Sequence, residues 1–167
     1  MATNTTLVAF ASERLASASD ESATNLVQRS STDAGKTWSP LKLVVKSYSG
    51  MSSAPWAIAD PSTSEVFLFW NNASLAKDKC SCAVSVIKGV NGAGYSAPVT
   101  LPASSGVLGS SLDSGIRLQK GPHAGRLVVC MRKICKNSCS APYQAFTAYS
   151  DDVRHTTFAE AQRPTAN

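Results

Sequence analysis

The chain has 167 residues, a formal net charge of +5, 43% hydrophobic and 16% charged residues, a composition that suits one globular unit and excludes a disordered polypeptide. No apolar run approaches the roughly 18 residues needed to cross a bilayer, so no membrane span is expected. The opening stretch MATNTTLVAFASERL has no basic region ahead of its short apolar run, does not read as a signal peptide, and leaves the compartment open.

Taken in chain order, the first strand-like run is LVAFA from Leu7, and the second is NLVQRSS from Asn25. Alternation in the second puts Leu26 and Gln28 on one face and Val27 and Arg29 on the other. STDAGKTWSP follows. Asp33, Ala34 and Gly35 spell a turn, since Asp bonds its own backbone and Gly tolerates positive φ, and Thr37 and Trp38 are expected to begin a third strand. APWAIAD and VFLFW come next, joined by the turn-forming PSTSE, then AVSVIKG and GYSAPVTL. SGIRLQK, the turn GPHAG, LVVCM, QAFTAYS and TTFAEAQ complete the series, with no amphipathic helix between them.

These runs repeat. Leu7, Val66 and Leu127 open equivalent strands at offsets of 59 and 61 residues, and Trp38, Tyr95 and Phe158 recur at offsets of 57 and 63. A unit of short antiparallel strands at such a period is a β-propeller blade. A β-sandwich would not require one order of landmarks to recur three times. The expected fold is therefore all-β, a partial propeller of about three four-stranded antiparallel blades at about 7–45, 54–101 and 113–162. End blades of so short an array would expose apolar faces and unpaired edges, which suggests missing chain or self-association.

Arg117, Lys120, Arg126, Arg132, Lys133 and Lys136 form a basic run. Without a recognition helix or an aromatic platform, it reads as solvated strand edges and turns, and no nucleic-acid partner is expected. The five cysteines, Cys80, Cys82, Cys130, Cys135 and Cys139, lack zinc-site spacing and a nearby His pair, so loop disulfides or free thiols are expected and no metal.

Ser31, Asp33, Gly35, Thr37 and Trp38 match S-x-D-x-G-x-T-W, which resembles the Asp-box, or bacterial neuraminidase repeat, of the sialidases. A degenerate copy keeps Ser150 and Asp152 but has Arg154 for Gly and Phe158 one residue late; in the middle unit only GYSAP survives. In that family the box is structural and lies away from the active site. The resemblance extends from Leu7 to about Phe158, as the first three blades of a six-bladed propeller.

The catalytic resemblance lies in LVAFASERLASASDES. By this resemblance Arg14 contacts a hydroxyl of the sugar ring, and Asp20 is the general acid/base at the glycosidic oxygen, a role that needs a partly enclosed carboxyl group. Read from residue type alone, Asp20 is a loop Asp bonding its own backbone and Arg14 a solvated strand end; Glu13 reads as surface. Where many sialidases carry an Asp before a Pro, Ala54 precedes Pro55, and the neighbouring Trp56 reads as a core aromatic rather than a pocket wall. Asp113 and Arg117 face the pocket in this comparison but receive no role, and His123 and His155 are not expected to act as bases.

Sialidases are also the glycosidases that use a Tyr nucleophile. The family's three carboxylate-binding arginines, its Glu and that Tyr fall outside the matched segment. The resemblance implies an exo-sialidase-like glycosidase as the parent protein, acting on sialylated glycans or related acidic sugars without a cofactor, and an inactive 167-residue chain. The alternative is a non-catalytic Asp-box propeller that binds carbohydrate or protein.

Overall fold

The computed structural model describes residues 6–18, 22–46, 50–60, 63–74, 82–101, 107–109, 115–133, 144–151 and 159–160. Among them the regular structure is all strand. The first sheet holds β1 (Leu7–Arg14), β2 (Thr24–Ser31) and β3 (Lys42–Val45), and the second β4 (Gly50–Asp60), β5 (Glu65–Ser74), β6 (Cys82–Val90) and β7 (Val99–Thr100). The third holds β8 (Val107–Gly109), β9 (Ile116–Arg117), β10 (Leu127–Lys133), β11 (Gln144–Ser150) and β12 (Ala159–Glu160). Each is antiparallel; the first two meet at a single parallel pair, Thr24 with Met51.

β5 explains why the sheets stack. Its run Val66–Trp70 is buried on both faces, and period-2 alternation sends successive side chains in opposite directions. Leu68 and Trp70 pack with Leu26 of the first sheet and with Ile87, flanked by Phe10, Val44 and Tyr95. Phe67 and Phe69 pack the other way, with Trp56 and Val86 against Leu127, Val129 and Met131 of the third sheet. Trp56 lies flat on Phe69, ring centroids 5.5 Å apart. Five consecutive buried apolar residues are thus one strand serving two cores.

Among the described residues each interface also holds a buried polar fastening. Between the first and second sheets, Gln28 Nε2 donates to the Gly92 carbonyl at 2.7 Å, and the Tyr95 hydroxyl donates to Gln28 Oε1 at 2.6 Å. Burial pushes the Tyr95 phenol up to about 12, so its protonated, donating form is held. A Cβ on Gly92 would come within 2.7 Å of Val8, which fixes glycine there. Between the second and third sheets, Arg117 pairs with Asp60, whose side chain is 2% exposed. Thr63 donates a further hydrogen bond to that carboxylate at 2.7 Å.

Four expectations are corrected. Thr37 and Trp38 do not begin a strand: pairing of β3 starts at Lys42, because the two residues are engaged in closing the preceding corner. Tyr95 likewise lies outside a strand, four residues before β7, its hydroxyl drawn to Gln28. SGIRLQK contributes only the two residues of β9; β10 instead pairs with both β9 and the unanticipated β8, so its inner neighbour is split. β4 starts earlier than expected and is bulged between Ser53 and Trp56, where Ala54 adopts φ 52°.

Two stability outcomes follow. Arg117→Leu, which strands a buried carboxylate, should cost about 3 kcal/mol in urea unfolding, and Asp60→Asn added to it should recover much of that loss. Ala54→Gly, which removes a Cβ from a left-handed residue, should raise stability by about 1 kcal/mol in the same measurement.

Candidate functional site

β1 and β2 pair in register from Leu7 with Ser31 to Arg14 with Thr24. At about 3.3 Å per residue, the eight residues of β1 set the two ends of this hairpin roughly 20 Å apart. One end carries the Arg14 loop and the other the Asp33 corner.

At the Arg14 end the loop neck is tied by short side chains. The Leu15 amide donates to the Ala23 carbonyl at 2.9 Å. Ser22 Oγ accepts from the amides of Ala16 and Ser17 at 3.2 and 3.3 Å, and Thr24 Oγ1 donates to the Ser22 carbonyl at 2.7 Å. Ser and Thr are what such a neck needs, because hydroxyls on short stems reach nearby backbone. The Arg14 guanidinium is exposed at the strand end and donates to the Ala18 carbonyl. Asn25 Nδ2 donates to Glu13 Oε2 at 2.9 Å, so Glu13, read as surface, positions a neighbour. Asp20 lies outside the described residues.

The opposite end is a closed network. Ser31 Oγ donates to Asp33 Oδ1 at 2.7 Å and accepts from the Gly35 amide at 2.9 Å. Asp33 in turn accepts from the Thr37 amide at 2.9 Å and the Thr37 hydroxyl at 2.5 Å. Trp38 folds back, its indole N–H donating to the Gly35 carbonyl at 3.1 Å. Ala34 and Gly35 take φ values of 59° and 88°, a pair of positive angles that only a turn of this kind demands. The hydrogen bonds from Thr37, with that from Ser31, hold the Asp33 carboxyl down to about 2. All five predicted residues of this motif meet, and none of them stands beside Arg14.

Of the remaining candidates, Trp56 is core, as read, and its indole N–H meets no acceptor among the described residues. Arg117 is committed to Asp60, with its Nε donating to the Gly125 carbonyl at 3.2 Å. Arg126 makes a bidentate pair with Asp151 at 2.7 and 2.8 Å and lies over the Tyr149 ring. Two cations of the basic run are therefore structural. His123 is an exposed turn residue. Asp113, Asp152, Arg154, His155 and Phe158 lie outside the described residues, as do Cys80, Cys135 and Cys139. Cys130 is an exposed free thiol. Among the described residues no three His, Cys, Asp or Glu side chains gather as a metal site. Sequence reading missed the Gln28 to Tyr95 and Asp60 to Arg117 fastenings, whose partners are distant in sequence and carry no local signature.

No family model matches the sequence. Solved structures do match. The chain is similar to the Hadza microbial sialidase Hz136, with a TM-score of 0.71 and 15% identity over 93% of this chain and 34% of that one. It is also similar to the intramolecular trans-sialidase from Ruminococcus gnavus in complex with oseltamivir carboxylate, with a TM-score of 0.68 and 15% identity over 96% of this chain and 58% of that one. The fold is that of part of a sialidase propeller, and the chain spans about a third and somewhat under three fifths of the two proteins.

The corner has a pH signature. Because the folded carboxyl titrates near 2 against an ordinary 3.8, its contribution to stability is full above the ordinary value and is lost as pH falls toward 2. Thermal melting should show Asp33→Asn lowering Tm at pH 7, with the two proteins converging as pH approaches 2.

Proposed function

We propose that this chain forms the acid/base side of a sialidase-like glycoside hydrolase whose whole protein removes terminal sialic acid, or a related acidic sugar, from glycans. The observation that carries the reading is the sialidase-like propeller fold, with Arg14 exposed at the end of β1 above a hydrogen-bonded loop neck. Ser31, Asp33, Gly35, Thr37 and Trp38 act in this reading as the Asp-box, a structural corner at the far end of the hairpin.

In the proposed chemistry Asp20 protonates the glycosidic oxygen as the bond to the aglycone breaks. Once the aglycone has left, its carboxylate takes a proton from the water that attacks the glycosyl intermediate. Arg14 orients the ring by donating to a sugar hydroxyl, a task for a fixed fork of donors. The nucleophilic Tyr and the carboxylate-binding arginines are assigned to no residue among these 167, so the chain by itself is proposed to be inactive.

One observation favours a binding module instead. Ala54, at the bulge before Pro55, offers no polar group to a sugar although its left-handed backbone suits Asp or Asn. A sialylated glycan array distinguishes the readings, because a hydrolase of which this chain is part strips the terminal acidic sugar, whereas a module retains it.

For the chain alone, incubation with a fluorogenic sialoside should release no fluorophore. Turnover that disappears in Asp20→Asn would overturn the proposed inactivity while supporting the role of Asp20.

A further inference from the structure

Two adjacent asparagines follow the apolar run of β5, and the fold treats them differently. Val66 to Trp70 are buried, and Asn71 is 6% exposed and engaged in a contact of its own. Asn72 is exposed. β5 and β6 pair without a break from Glu65 with Val90 to Ala73 with Cys82, so side chains alternate along β5. Asn71 therefore continues the Phe67 and Phe69 face, and Asn72 the Leu68 and Trp70 face. The cover that Leu26 gives Leu68 and Trp70 ends before Asn72.

Around the exposed residue the sequence reads Asn72-Ala73-Ser74. An Asn with Ser two residues on and no Pro between is the acceptor pattern for N-linked glycosylation. Burial decides whether a folded chain can carry the sugar: a glycan on Asn71 would have to enter the core, whereas one on Asn72 leaves into solvent. Backbone pairing places the acceptor further. Arg14 pairs with Thr24, Thr24 with Met51, and Met51 with Ala73. Asn72 stands next to that row, three strand spacings or roughly 15 Å from Arg14, at the opposite end from the Asp33 corner.

We propose that Asn72 is the acceptor of an N-linked glycan wherever this chain is carried into a secretory compartment. The donor is a lipid-linked pyrophosphate oligosaccharide. Asn72 Nδ2 bonds the anomeric carbon of the first sugar as the bond from that carbon to the pyrophosphate oxygen breaks. The lipid pyrophosphate leaves, and the amide proton passes to a base of the transferase. Transfer to the extended chain precedes pairing of β5, and the finished sheet keeps the glycan outside because β4 and β6 pair with the backbone of Asn72. The folded protein then carries a hydrophilic cover at the end where the Arg14 loop opens. The inference depends on strand register and exposure, and stands apart from any reading of Asp20.

Expression of the chain behind a cleavable secretion leader in a mammalian host tests it, with Asn4→Gln removing the acceptor pattern at Asn4-Thr5-Thr6. Peptide mass spectrometry of total cell and medium protein should find Asn72 glycosylated in most molecules, and Ser74→Ala should abolish the modification. Asn72→Gln combined with Ala73→Ser moves the acceptor one residue back, to Asn71. The Asn71 glycoform should be cut by trypsin about tenfold faster than the Asn72 glycoform, because the glycan keeps Asn71 out of the core. The same double variant made without glycan in a bacterial cytosol should resist trypsin as the unmodified parent does. An unmodified Asn72, or an Asn72 glycoform cut as fast as the Asn71 one, would overturn the inference.

Discussion

The two-sided burial of β5 is the constraint on which the rest depends. A strand that buries Phe67 and Phe69 on one face and Leu68 and Trp70 on the other must stand between two other sheets, because water cannot be left on either side of it. The hydrophobic gain scales with the apolar area removed from both faces, and five such residues in a row exceed what a half-exposed strand would carry. Stacking of sheets in one sense follows, and with it the position of every hairpin end.

Apolar packing alone would let the sheets slide, and the buried polar contacts remove that freedom. Gln28 can satisfy both ends of its amide only when Gly92 and the Tyr95 hydroxyl stand opposite it. Arg117 can neutralise Asp60 only at one offset of the third sheet on the second. Unsatisfied groups at these depths carry a full desolvation penalty, so each fastening acts as a register pin.

The same arrangement separates the two ends of the first hairpin. Hairpins in all three sheets run in one sense, so the Arg14 loop opens at one end while the Asp33 corner closes the other. The corner is closed by internal hydrogen bonds, and a carboxylate that accepts from the Ser31 hydroxyl and from both the amide and the hydroxyl of Thr37 has little left for a substrate. At the other end Arg14 closes the strand with an exposed guanidinium that donates to the Ala18 carbonyl, above a neck tied by Ser22 and Thr24. A propeller gains from this division, since the loops at one end can vary without loosening the turns at the other.

The sequence by itself determined the all-strand fold, the repeat of about sixty residues and the closed Asp33 corner, because each is written in short-range pattern: alternation, turn residues and a motif whose members touch one another within eight positions. It also placed Arg14 at a strand end. What it could not supply were contacts between residues far apart in the chain. The length of the loop after Trp38, the bulge at Ala54, the splitting of the strand beside β10, and the pairing of Arg117 with Asp60 were decided by how sheets fit face to face. Arg117 shows the difference most plainly: in sequence it belonged to a run of positive charge, and only packing against the second sheet turned it into the partner of a buried carboxylate. Charge and periodicity are local properties, whereas complementarity between surfaces exists only after the chain has brought them together.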